Sequence, residues 1–143
     1  MVLTGQYKME VAETVIRMVS AYFQINPHVV VKPRYNLEET EAFCSEDDGQ
    51  YEIEVSTEFM KKCTERELVE IIAHEMVHVK QHEVDGLEME VNRVRFRGET
   101  FTDEEYWFSP WEIEARGYEK AFWALYTEVW YCFGEDYVQR RRS

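Results

Sequence analysis

Residues 71–82 read IIAHEMVHVKQH, and this stretch decides how the rest of the chain is interpreted. It holds His74, His78 and His82, three of only four histidines in the chain, inside an otherwise apolar run. His74-Glu75-Met76-Val77-His78 is an HExxH pattern. If the stretch is helical, residues i and i+4 share a face, so both imidazoles can reach one small cation. Zinc accepts imidazole nitrogen at ~2.0–2.1 Å, and catalytic zinc sites take three protein ligands and keep a position open for water. Glu75 sits about 100° around the helix from His74. It is placed to act as a general base on the metal's water rather than as a ligand.

The flanking residues support the helix. Thr64-Glu65-Arg66-Glu67 is a capping box that predicts a start there. Asp85-Gly86 predicts a stop, glycine being the favoured residue just past a helix. Upstream, residues 7–24 carry Val11, Val15, Met18, Val19 and Tyr22 at helical spacing, ended by Asn26-Pro27. Residues 28–36 are β-branched, with Pro33 favouring an edge position. Two short runs around Asp48-Gly49 predict a hairpin, and Ser56 or Thr57 caps a helical turn reaching Lys62. Residues 87–108 match no period. Ser109-Pro110-Trp111-Glu112 predicts a further helix start, with apolar spacing through Trp130.

His82 is a poor third ligand, because on one helix it lies about 12 Å from His74 along the axis. The remaining histidine, His28, precedes the motif on a predicted strand. Glu112 is the better candidate. At about 100° per residue, Glu119, Trp123 and Trp130 fall within roughly 20° of it, so it lies in line with an aromatic face. Glu114 points to roughly the opposite side. A carboxylate on such a face is costly unless it is paired or binds metal. The competing reading is that Glu112 merely closes a capping box on Ser109. Glu119 is either a hydrogen-bond partner of a ligand histidine or an ion-pair partner of Arg116.

HEMVH followed by Glu-Ile-Glu-Ala at 112–115 resembles the gluzincin metallopeptidases, in particular the minimal soluble forms called minigluzincins and the ImmA/IrrE-like peptidases. Their glutamate three residues before an alanine corresponds to Glu112 here. Arg116 departs from the Asp or Asn often found after that alanine. The resemblance implies an α+β fold, with a small twisted antiparallel or mixed sheet packed on helices. It further implies Zn2+ held by His74, His78 and Glu112, Glu75 as the base, and a peptide or protein substrate. The strand at Tyr51–Val55 would pair with that substrate, with Glu52 and Glu54 favouring basic residues; hydrolysis also needs an oxyanion donor, for which Tyr118 and Tyr126 are the nearest candidates by sequence. HEMVHVKQ is also similar to SprT-like proteins, which act on DNA-linked substrates. The formal net charge of -13 and the lack of a CxxC ribbon argue against that group. Chains of this size and pattern also resemble those encoded by phages and mobile elements.

Composition sets the outer bounds. The 143 residues suit a single domain spanning 1–143, and 45% apolar content supports a folded core. The acidic balance disfavours general nucleic-acid binding despite the basic run Arg140-Arg141-Arg142. Three cysteines without CxxC spacing suit reduced thiols in a cytoplasmic protein. No apolar run reaches the ~18 residues of a membrane span, and no signal peptide opens the chain. Two readings compete with a zinc metallopeptidase. One is a metal-bound regulatory or binding module with little turnover. The other is an aromatic-rich interaction protein that uses Trp107, Trp111, Trp123 and Trp130.

Overall fold

The computed structural model describes residues 5–35, 37, 40–102 and 109–130, the side chains of 129 and 130 excepted. Trp107, Cys132, Phe133 and residues 140–142 therefore lie outside the described residues. The order is α1 (Gly5–Phe23), β1 (His28–Arg34), β2 (Ala42–Asp47), β3 (Gln50–Ser56), α2 (Thr57–Lys62) and α3 (Glu65–Val84). Next come β4 (Glu88–Met89), β5 (Val94–Phe96), β6 (Glu99–Phe101) and α4 (Pro110–Leu125). A π-helical turn, Tyr126–Trp130, continues α4. The fold is α+β, as the sequence implies.

β1 pairs parallel to β3, and β2 antiparallel to it, giving the order β1-β3-β2. The β2–β3 hairpin turns through Asp48 (φ 52°) and Gly49 (φ 79°). Two successive positive φ values make the tight turn whose twist matches the strands. Pro33 is tolerated because β1 is an edge strand.

Tyr51, Ile53 and Val55 enter the core. Glu52 and Glu54 face the other way and are held by Lys32 and Arg34, with Arg34 at 3.2 and 3.1 Å from them. This corrects two expectations. β3 is the central strand, with both edges already paired, so it has no free edge for a substrate. Glu52 and Glu54 are engaged by cations of the neighbouring strand rather than left to attract basic substrate residues.

Among the described residues, β2 is the edge strand on the other side of β3 from β1. The Ser56 N–H donates to the Glu41 carbonyl at 2.8 Å. In an antiparallel ladder, backbone groups facing the partner alternate with groups facing away. Counting on from Glu41, Phe43, Ser45 and Asp47 face β3, while Ala42, Cys44 and Glu46 turn their backbone groups outward.

α3 is the central helix of the core. Thr64 and Glu67 close the expected capping box, at 3.1 and 2.8 Å. Gly86 at φ 68° follows the helix end. Leu68, Val69, Ile72, Ala73, Met76, Val77 and Val79 are fully buried, with Val15, Met18 and Val19 of α1 in the same core. The unassigned segment after α3 forms a second, antiparallel sheet, β4-β5-β6, turning at Arg97 (φ 52°) and Gly98 (φ 80°). Its small core of Leu87, Phe96 and Trp111 seats the start of α4. Among the described residues no helix is long and apolar enough to cross a membrane.

Candidate metal centre

α3 presents His74 and His78 one turn apart, and the first turn of α4 brings Glu112 to them. One Glu112 oxygen, Oε1, lies 3.0 Å from His74 Nε2 and 3.2 Å from His78 Nε2. The three donor atoms all fall within 4.8 Å of one another. A tetrahedron with ~2.0–2.1 Å bonds has edges of about 3.3 Å, so this spacing suits a small ion between the donors. Two imidazoles and a carboxylate are a donor set that zinc accepts. Ser109 makes no side-chain cap on α4, so Glu112 is turned to the histidines rather than closing a capping box.

The other nitrogen of each imidazole is also held. His74 Nδ1–H donates to Glu119 at 2.6 Å, the first of the two alternatives left open by the sequence. His78 Nδ1 lies 2.7 Å from Gln81 Oε1. Gln81, fully buried, donates to the Trp111 carbonyl at 2.9 Å and to Glu114 at 3.0 Å. Sequence reasoning passed over Gln81. The available signal was its position seven residues after His74, about 20° off that histidine's direction on the helix.

Glu114 does not point away, as expected. The buried seam of α4 is Trp111, Ala115, Phe122 and Tyr126, centred away from the Trp123–Trp130 direction used to predict it. Glu112 and Glu119 flank one side of this seam. Glu114 flanks the other, where it meets Gln81, Lys80 and Arg97.

The histidines sit in a negative field. Burial opposes charge on His74, but hydrogen bonds to Glu112 and Glu119 overcome it and lift its pKa to about 10. His78 is raised in the same way against burial, chiefly by Glu112. Burial likewise opposes charge on Glu112, yet its bonds to both histidines pull it down to about 2. The pocket thus favours positive charge, which protons supply when no metal is bound and a dication can supply in their place.

Glu75 is buried beside this cluster, at 7% exposure. Desolvation raises its pKa, opposed by the positive charge of His78 and His74 and by a hydrogen bond from the Cys44 backbone N–H. That bond uses an outward amide of β2 and fixes the strand's free edge beside Glu75.

His82 stands outside the group. Its ring packs on Tyr51 with centroids 5.9 Å apart, and it is bonded to the backbone of Leu87. His28 opens β1, the edge strand opposite β2, and is not part of the cluster. Tyr118 packs among Tyr22, Phe23 and Phe122, and Tyr126 stacks on Trp123.

The profile of the SprT-like family matches residues 11–101, more than half of the chain, and the chain belongs to that family. The family is associated with a zinc-metallopeptidase-like fold carrying HExxH. No curated protein and no solved structure matches the chain. The match supports the HExxH zinc-metallopeptidase part of the expected resemblance and gives the chain's family as SprT-like, the group that charge and the missing ribbon argued against. Net charge and a missing ribbon were weak grounds against it, because charge governs solubility and association rather than fold. The match includes His74, Glu75 and His78 but ends before α4, so Glu112 is assigned on geometry alone.

Proposed function

We propose that this member of the SprT-like family is a zinc-dependent metallopeptidase. In this reading His74, His78 and Glu112 hold Zn2+, and Glu75 is the general base. One observation carries it: His74, His78 and Glu112 each bring a donor atom within 4.8 Å of the others, directly beside a buried carboxylate. When bound, zinc would polarise the scissile carbonyl and make water a stronger acid. Glu75 removes the proton from the attacking water and delivers it to the leaving amine. Burial raises its pKa in the metal-free chain, which favours uptake of a proton.

The outward groups of Ala42 and Glu46, with the Cys44 carbonyl, offer an extended peptide a strand to pair with along the cleft. The substrate is therefore an extended or unfolded protein segment rather than nucleic acid as such. Free Cys44 and Cys63 suit work in the reducing cytoplasm.

An unstructured protein substrate incubated with the zinc-loaded chain provides the test. Wild type should cleave it, while Glu75→Gln should retain zinc and fold yet lose nearly all turnover. Equal turnover in the two proteins would end the peptidase reading. Zinc retention without hydrolysis by wild type on any unfolded substrate would favour the regulatory metal module instead.

A further inference from the structure

We infer that Gln81 is a positioning residue of the metal centre: its amide locks His78 in the tautomer that presents Nε2 to the ion. It also ties that orientation to the β5–β6 turn through Glu114 and Arg97. The inference rests on the metal site proposed above and adds to it the residue that sets one ligand's direction.

The assignment follows from donors and acceptors. Gln81 Nε2 lies 2.9 Å from the Trp111 carbonyl and 3.0 Å from a Glu114 carboxylate oxygen. Both groups only accept, so the NH2 end of the amide must face them. The carbonyl end then faces His78 Nδ1 at 2.7 Å. A carbonyl oxygen cannot donate, so Nδ1 must carry the proton. In the neutral ring this leaves the lone pair on Nε2, the atom that meets Glu112 at 3.2 Å. Gln81 has no exposure to solvent, so water cannot take over any of these bonds.

The network continues outward. Glu114 also bonds Lys80 at 3.3 Å and pairs with Arg97. Arg97 sits at the β5–β6 turn and reaches Asp85, just past the end of α3, at 3.2 Å. These cations keep Glu114 ionised and therefore able only to accept, which holds the amide in one orientation.

The two ligand histidines are thus supported differently. His74 leans on a carboxylate, Glu119. His78 leans on a neutral amide, which adds no further negative charge to a site already holding Glu75, Glu112 and Glu119. A glutamine that served packing alone would have no need of a bond to a ligand imidazole.

The test compares Gln81→Met and Gln81→Glu with wild type, each titrated with zinc against a chelator at neutral pH and each melted without metal. Met keeps the bulk but removes the acceptor, and zinc affinity should fall about 10–100-fold, as for other lost partners of ligand histidines. Glu keeps an acceptor toward His78, so affinity should stay close to wild type. Its thermal stability should fall, because a carboxylate then faces Glu114 and the Trp111 carbonyl.

Wild-type affinity in Gln81→Met would overturn the inference while leaving the metal site standing. A wild type that takes up no zinc would remove the site and this inference together. A second measurement does not depend on either variant folding. Long-range proton–nitrogen NMR of the zinc-loaded wild type should show His78 protonated at Nδ1 and coordinated through Nε2. Coordination through Nδ1 would overturn the assignment.

Discussion

Replacing Glu112 with alanine should destabilise the metal-free protein in a way that depends on pH. The carboxylate is 5% exposed and bridges His74 and His78 at 3.0 and 3.2 Å. Removing one partner of a buried ion pair costs ~3–5 kcal/mol. The lower end applies here, about 3 kcal/mol, because His74 keeps Glu119 and the imidazoles can shed protons. For a chain of this length that is a fall of roughly 10 °C in melting temperature.

The sign with pH follows from the shifts. His74 is raised from 6.5 to about 10 in the folded state. Its charged pairing therefore stabilises fully below pH 6.5 and is lost as pH rises through about 10. Glu112 is lowered from 4.5 to about 2, so its share is present above 4.5 and lost as pH falls through about 2. The gap between wild type and Glu112→Ala should be full between these limits, near pH 6, and should shrink by pH 10. Thermal melts by circular dichroism in excess chelator at the two pH values measure it, and changes common to both proteins cancel in the difference. A gap of the same size at both pH values would mean that Glu112 acts through packing alone. No gap at pH 6 would mean that the bridge contributes nothing.

Three further outcomes follow from neighbouring residues. His82→Ala should keep the zinc, since that ring packs on Tyr51 and bonds near Leu87; an empty protein with an intact fold, by metal analysis, would return His82 to the ligand set. Glu114→Ala should keep the zinc stoichiometry, with affinity reduced at most ~10–100-fold through Gln81, as read by chelator competition. Thr64→Ala removes the α3 cap and should cost about 1 kcal/mol in denaturant unfolding with zinc affinity unchanged.

What was legible in the sequence was local. The Thr64 capping box, the Asp48-Gly49 turn and the i, i+4 histidines each depend on residues within a few positions of one another, and each is found in place. The second sheet was not legible, because strands of two or three residues are too short to show a period of two. The parallel pairing of β1 with β3 was hidden because the partners are separated by the whole of β2. Glu112 was found from its helix face, yet the same reasoning misplaced Glu114. Masked by its neighbours in sequence, the buried seam runs through Trp111, Ala115 and Phe122 rather than Trp123, so two glutamates on opposite flanks both reach α3. Gln81 escaped because, beyond its place on the histidine face of α3, a neutral amide shows its role only when its three partners, drawn from two helices, are brought together.

The claim on which the rest depends is that His74, His78 and Glu112 form one metal site. Elemental analysis of the purified protein, alongside His74→Ala and Glu112→Ala, tests it most directly. The account predicts about one zinc per chain in wild type, matching a single three-ligand site, and a small remnant in either variant with the fold retained. Zinc held undiminished by both variants, or a wild type that remains metal-free after exposure to excess zinc, would contradict it.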